Sequence, residues 1–143
     1  MSTRLERVID ALPAGFAAMR DEARAEGFGM LDVLGSEWDV GTTRFDRDGE
    51  ALLAGYAGDV LAGIGGMTHD PYRTGALRMR RFYVRVPYRR LGVARAIATA
   101  LLARPETAGR TITANAARGS ETFWESLGFV PAPRERQTHL LAR

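Results

Sequence analysis

The chain has 143 residues, of which 45% are hydrophobic and 26% are charged, and its formal net charge is +3. These values are ordinary for a globular chain that buries one core, so we expect a single domain over residues 1–143. The absence of cysteine and of lysine excludes disulfides, thiol nucleophiles and Schiff-base chemistry, and two histidines are too few for an ordinary zinc site, so we expect no metal.

The N-terminal third predicts a short strand and two helices. Arg4–Val8 alternates as a strand does, although its apolar residues would equally suit a helix. Pro13 suits the first turn of the first helix. The apolar face of that helix has three residues at helical spacing, Phe16, Met19 and Ala23. A second helix is predicted over Met30–Trp38, and Gly41 ends it.

The middle of the chain predicts three strands. Ala51–Tyr56 and Val60–Met67 flank Gly58-Asp59, which is a signal for a hairpin turn. A polar loop over Thr68–Gly75 follows, and Ala76–Val86 is predicted as a long central strand.

The last third alternates again between the two kinds of element. It predicts a helix over 92–104, a strand over 110–115, a helix over 119–127, and a hairpin made of 129–131 and Gln137–Ala142. Strands that alternate with helices predict an α/β sandwich with a mixed central sheet.

The junction between the central strand and helix 92–104 predicts an anion site. Pro87 ends the strand, two arginines follow, and Gly92 precedes the helical pattern. Amide groups at a helix N-terminus have no intrahelical partners, and small residues let a phosphate approach them. Taken alone, the pattern also fits a strand-to-helix connection that binds nothing.

Together with a later segment, this junction resembles the GNAT superfamily of acyl-CoA-dependent N-acyltransferases. The family's pyrophosphate loop, Arg/Gln-x-x-Gly-x-Gly/Ala, is matched by Arg89, Gly92 and Ala94. Its late motif, an Asn followed by Phe-Tyr-x-x-x-Gly-Phe, is matched by Asn115, Phe123, Gly128 and Phe129. The resemblance runs from about Val60 to the end. It implies a mixed, mostly antiparallel sheet of about six to seven strands flanked by about four helices.

The resemblance also implies a site for acetyl-CoA. The amides of about Leu91 to Ala94 hold the pyrophosphate, and the pantetheine arm pairs with the strand edge at Tyr83 to Val86. The Val84 N–H is the candidate for polarising the thioester carbonyl. Asn115 meets the arm from the next strand, unless it is only a turn residue. The implied cofactor-binding residues are Tyr83, Val84, Val86, Arg89, Arg90, Leu91, Gly92, Val93, Ala94, Asn115 and Phe123. Arg90 replaces a frequent Gly, so we expect a negative φ or a relaxed loop there.

The catalytic acid and base are less evident. Trp124 stands where the family often has a tyrosine acid, and an indole N–H supplies no proton, so Tyr88 or Tyr83 is the candidate substitute. The central strand has no glutamate that matches the family's base. The candidate bases are His69 with Asp70, Glu37, and His139.

The resemblance implies an N-acetyltransferase that uses acetyl-CoA as co-substrate and acts by direct attack of a small-molecule or peptide amine in a ternary complex. A non-catalytic acyl-CoA-binding or sensing domain is the alternative. Eight arginines between 73 and 95 suggest a solvated face or CoA phosphate partners. They fit nucleic acid less well, because no aromatic platform is interleaved with them. No apolar run of about 18 residues and no signal peptide are present, so we expect a cytoplasmic protein without a membrane partner, and a homodimer is possible.

Overall fold

The centre of the fold is a seven-stranded sheet in a computed structural model that describes residues 2–143. Its strands are β1 (Thr3–Arg7), β2 (Ala51–Ala57), β3 (Val60–His69), β4 (Leu77–Val84), β5 (Thr111–Ala114), β6 (Val130–Arg134) and β7 (Gln137–Ala142). The strand order is β1-β2-β3-β4-β5-β7-β6. Every neighbouring pair is antiparallel except β4 and β5, which are parallel. The predicted fold class is confirmed.

Four helices cover the two faces of the sheet. They are α1 (Phe16–Ala25), α2 (Met30–Val40), α3 (Val93–Leu102) and α4 (Glu121–Ser126). On one face, α1 and α2 bury Met19, Leu31 and Leu34 against β2 and β3. On the other face, α3 buries Ile97 and Leu101, which are four residues apart and therefore lie on one side of the helix.

Several predicted boundaries differ from those in the structure. The helix α1 begins at Phe16, because Pro13 lies in a turn where its carbonyl accepts the Phe16 N–H. The strand β4 ends at Val84 instead of 86, and Val86–Tyr88 forms a 3₁₀ turn. Pro87 has no N–H to donate to a neighbouring strand, and this accounts for the early end of β4. At the end of β3, Thr68 and His69 belong to the strand and not to a loop.

The two parallel strands separate soon after they meet. Their registered pairs are Leu77 with Ile112 and Arg78 with Thr113. Beyond Arg78, β4 continues beside β3 but no longer pairs with β5. A bulge in β4 places two residues opposite Gly65 of β3, and Arg81 adopts a left-handed φ of 61° there. The result is a wedge between β4 and β5 that opens toward the start of α3.

None of the helices described over residues 2–143 combines the length and apolarity that a bilayer crossing needs.

Candidate active site

The wedge contains one cleft made of two connected cavities. The inner cavity has a volume of about 360 Å³ and lies between β4 and the segment from Asn115 to Trp124. The outer cavity, about 830 Å³, lies in front of the first turn of α3. Both are lined by Phe82, Tyr83, Val84, Ala94 and Phe123, so the cleft runs without a break from the helix N-terminus into the wedge.

The first amides of α3 face the outer cavity, because the turn that precedes the helix ends at Gly92. Gly92 caps the helix with a left-handed φ of 84°, a conformation that suits glycine. The first amides of α3 have no intrahelical acceptors and carry the positive end of the helix dipole. Arg90 also has a left-handed φ, 65°, so the first of the two expected alternatives, a negative φ, is wrong.

Arg89 is held by protein groups and not left free for a ligand. Its guanidinium binds both carboxylate oxygens of Glu26 at 2.9 and 2.6 Å and donates to the Val84 carbonyl at 2.9 Å. The Tyr83 hydroxyl donates to the same carboxylate. These partners lower the pKa of Glu26, while burial and the Glu26 carboxylate raise the pKa of Tyr83 to about 12. Arg89 therefore ties the end of α1 to the loop that precedes α3.

Other arginines line the mouth of the cleft. Arg90 and Arg95 lie on the α3 side. Arg118 lies on the opposite side, 4.9 Å from the Phe28 ring centroid, and donates to the Glu26 carbonyl. Sequence reasoning missed Arg118, because a lone arginine in a loop carries no local signal. Three guanidiniums and a helix N-terminus thus converge on a region suited to several phosphate charges.

The free edge of β4 faces the cleft at Val84. The N–H of the next residue, Arg85, donates to Ala62 on β3 at 2.8 Å. Because backbone groups alternate in direction along a strand, the Val84 N–H points away from β3 and into the cleft.

Aromatic rings form the floor of the inner cavity. Trp124 is 5% exposed and meets Phe82, Phe123 and Phe129 edge to face, with ring centroids 5.0, 4.9 and 5.3 Å apart. The position of the expected tyrosine acid is therefore a packed indole beside the cavity.

The structure brings together most of the predicted cofactor-binding residues. Those that line the cleft are Tyr83, Val84, Arg89, Arg90, Gly92, Ala94, Asn115 and Phe123. Val86 and Leu91 have exposed side chains outside its lining, and the Val93 side chain is buried in the core under α3. For Leu91 and Val93, only backbone groups could serve a ligand.

The predicted catalytic side chains are more dispersed. Glu37 and His69 line a neighbouring polar pocket of about 450 Å³, which shares Arg80 with the inner cavity. The Glu37 carboxylate accepts a hydrogen bond from Arg81 at 2.8 Å, and His69 Nε2 lies 2.6 Å from the Asp48 carbonyl. Tyr88 packs near Arg85 outside the cleft lining.

The two remaining candidates are engaged elsewhere. Asp70 is buried, and its carboxylate accepts hydrogen bonds from the Thr113 hydroxyl and the Tyr72 N–H. His139 is buried beside Glu125, with 2.8 Å between the ring nitrogen and the carboxylate. Within residues 2–143, no cluster of three or more His, Asp or Glu side chains is arranged to hold a metal.

Comparison with known proteins identifies related folds. A family model for the acetyltransferase (GNAT) domain matches residues 35–141. No match was found among curated proteins.

Among solved structures, a proposed acetyltransferase from Exiguobacterium sp. 255-15 aligns with a TM-score of 0.89 at 21% identity, over 99% of this chain and 94% of that one. The N-acetyltransferase YlbP of Bacillus subtilis, in complex with coenzyme A, aligns with a TM-score of 0.63 at 18% identity, over 99% and 97%. An acetyltransferase from Streptococcus agalactiae 2603 aligns with a TM-score of 0.75 at 10% identity, over 99% and 98%. At these identities, the structures support a shared fold.

Proposed function

This chain belongs to the GNAT acetyltransferase family, and we propose that it transfers an acetyl group from acetyl-CoA to a primary amine of a small molecule or peptide. The observation that carries the proposal is the continuous cleft, which joins a positively charged helix N-terminus to a cavity beside a free strand edge. Its two ends suit the two ends of acetyl-CoA, since one is rich in donors for phosphate and the other is partly apolar.

The donor would bind along the cleft in one orientation. Its pyrophosphate would accept hydrogen bonds from the amides of Gly92 to Ala94, with charge supplied by Arg90, Arg95 and Arg118. The pantetheine amides would pair with the free edge of β4, as an added strand does. The side chain of Asn115 lines the opposite wall of the inner cavity and could bind the arm from there.

The reaction needs one bond made and one broken at the acyl carbon. The neutral amine attacks the thioester carbonyl, the carbon–nitrogen bond forms, and the carbon–sulfur bond breaks to release the thiolate of CoA. The Val84 N–H would stabilise the oxygen that gains charge. Because the pKa of Tyr83 is about 12, that hydroxyl keeps its proton, and it donates its hydrogen bond to the Glu26 carboxylate. A thiol has a pKa of about 8.5 and is a tolerable leaving group without an acid.

The proton of the amine would leave toward the polar pocket beyond Arg80. Glu37 and His69 line that pocket and are the proposed acceptors, acting directly or through water. Positioning of the amine against the acyl carbon would supply most of the rate. We place this activity in the cytoplasm, where acetyl-CoA is available, and include no nucleic acid or membrane partner.

Trp124 favours a second candidate, a non-catalytic acyl-CoA-binding domain on the same fold. The indole replaces the expected acid and is locked among three phenylalanines. One experiment separates the candidates: acetyl-CoA is mixed with the protein and a panel of amines, and free CoA thiol and acetylated product are measured. The transferase predicts thiol release that requires an amine, with one product molecule for each thiol. Binding of acetyl-CoA without release for any amine class would favour the second candidate.

A further inference from the structure

Two arginines in the inner cavity have no acidic partner. Arg78 is 6% exposed and lines the cavity, and its Nη1 has no hydrogen-bond partner. Arg80 lines the same cavity and donates to the Thr68 hydroxyl at 3.2 Å. Over residues 2–143, neither guanidinium has a carboxylate at salt-bridge distance. The sequence places these residues two apart, so they share the α2 face of β4.

The surrounding charges leave this region positive. Arg81 adds a third guanidinium, which donates to one oxygen of the Glu37 carboxylate at 2.8 Å. Asp70 attracts Arg78 but is held by Thr113 and the Tyr72 N–H. Burial and the neighbouring guanidiniums lower the pKa of Arg80 to about 10, which leaves it charged at neutral pH. Two positive charges therefore face the cavity without a direct ion pair, and Asp70 and Glu37 offset them only from beyond salt-bridge distance.

Such an arrangement is costly for the protein alone. A buried charge requires a partner, and an unsatisfied buried donor is destabilising. A guanidinium fork matches a carboxylate or a phosphate in shape and charge. The phosphates of the donor do not meet this need, because their proposed cradle lies at the mouth of the cleft. Arg78 lies at the other end, where β4 still pairs with Thr113 of β5.

We propose that Arg78 and Arg80 bind a carboxylate or phosphate group of the acceptor, so that the substrate of this enzyme is an acidic amine. The inference rests on the proposed acetyltransferase function and specifies its acceptor class. The anionic group anchors the acceptor in the inner cavity, beside the strand edge at which the acyl group is proposed to lie. It also gives a role to two of the three arginines on the strand where the family resemblance leads one to expect a glutamate base.

Matched acceptors test the acceptor class directly. We would compare thiol release from acetyl-CoA with glycine against glycinamide, β-alanine against propylamine, and phosphoethanolamine against ethanolamine. The proposal predicts that at least one acidic member reacts, with a kcat/KM at least tenfold above that of its neutral partner. Turnover of neutral members with equal or higher kcat/KM across all pairs would overturn it.

A binding measurement keeps the test independent of turnover. Malonate would be titrated into the protein labelled with ¹⁵N-arginine, with CoA added in excess, while the Nε–H signals are followed. We expect malonate to shift the signals of Arg78 and Arg80, and Arg78→Met or Arg80→Met to weaken its binding at least tenfold. The control is Arg4→Met, which removes one positive charge on β1, three strands away from β4, and should leave malonate binding unchanged.

One further variant separates folding from binding. Arg80→Lys keeps the charge but loses the fork, so we expect a raised KM for the acidic acceptor with the thermal melt preserved. If malonate shifts the Nε–H signals of Arg78 and Arg80 but CoA does not bind, the result would support the anion site and contradict the proposed acetyltransferase function. CoA-dependent turnover with no malonate shift at Arg78 or Arg80 would overturn the anion site and leave the transferase standing.

Discussion

Replacing Gly65 with alanine is expected to destabilise the protein and to narrow its cleft. An added Cβ would lie 2.8 Å from two ring atoms of Phe82, whereas carbon atoms in contact are separated by about 3.5–4.0 Å. The ring must therefore move by roughly 1 Å, and overpacking of this kind costs about 1–3 kcal/mol. Phe82 lines both cavities and packs against Trp124, so its displacement acts on the ligand site as well as on the core.

The expected loss is about 2 kcal/mol in the free energy of unfolding, the middle of that range. For a chain of this size, it corresponds to a fall of about 6 °C in melting temperature. Urea unfolding followed by circular dichroism measures the first quantity, and calorimetric titration with acetyl-CoA measures the accompanying loss of affinity.

Two comparisons make this prediction refutable. Gly29→Ala is the control, because a Cβ there meets nothing within 4 Å and its φ is −98°, so its effect should stay within about 0.5 kcal/mol. In a Phe82→Ala background, the cost of Gly65→Ala should largely vanish, since the Cγ and ring atoms that lie within 2.9 Å of the added Cβ are gone. An equal cost in both backgrounds would show that contact with the Phe82 ring is not what destabilises the variant.

Two further predictions concern the mouth of the cleft. Arg90→Gly should raise the free energy of unfolding by up to about 1 kcal/mol, because it relieves a left-handed arginine. The same change should weaken acetyl-CoA binding and reduce the salt dependence of that binding. Urea unfolding and calorimetry at two salt concentrations measure these effects, and a change of stability and affinity in the same direction would contradict the prediction. Glu26→Gln should destabilise at neutral pH. The Glu26 pKa is lowered from its ordinary value of 4.5, so this carboxylate stabilises the fold above pH 4.5 and loses its effect as pH falls through the lowered pKa. The difference in free energy of unfolding between wild type and Glu26→Gln should therefore become smaller from pH 7 to pH 3. A constant difference would count against the ion pair with Arg89.

The sequence was sufficient for the family, the fold class and the order of the elements. The reason is local, since the apolar residues of α3 recur at helical spacing and those of the strands are bounded by clear turn signals such as Gly58-Asp59. Boundaries differed near the prolines Pro13 and Pro87 and at the end of β3, which includes Thr68 and His69.

The electrostatics of the site could not be predicted in the same way. Arg89 is neutralised by Glu26, which is 63 residues away in the chain. The bulge at Arg81 could not be predicted, because the residue with the positive φ is an arginine and not a glycine. Arg78 and Arg80 read as members of a solvated or phosphate-binding run, although the sheet buries one and partly buries the other. Each of these facts depends on which distant segments the fold brings together, and a local pattern does not contain that information.

Acetyl-CoA is proposed to bind with its pyrophosphate on the N-terminus of α3, and substitutions of Ala94 test this placement. This residue lies in the first turn of α3 and lines both cavities. A glutamate there suits the helix dipole and preserves the fold, but its carboxylate would repel the pyrophosphate. We would titrate acetyl-CoA calorimetrically into wild type, Ala94→Glu and the uncharged control Ala94→Gln. We expect acetyl-CoA to bind wild type, and to bind Ala94→Glu at least tenfold more weakly than Ala94→Gln, a difference of about 1.4 kcal/mol. Equal affinity of the two variants, or no binding to wild type, would contradict this placement.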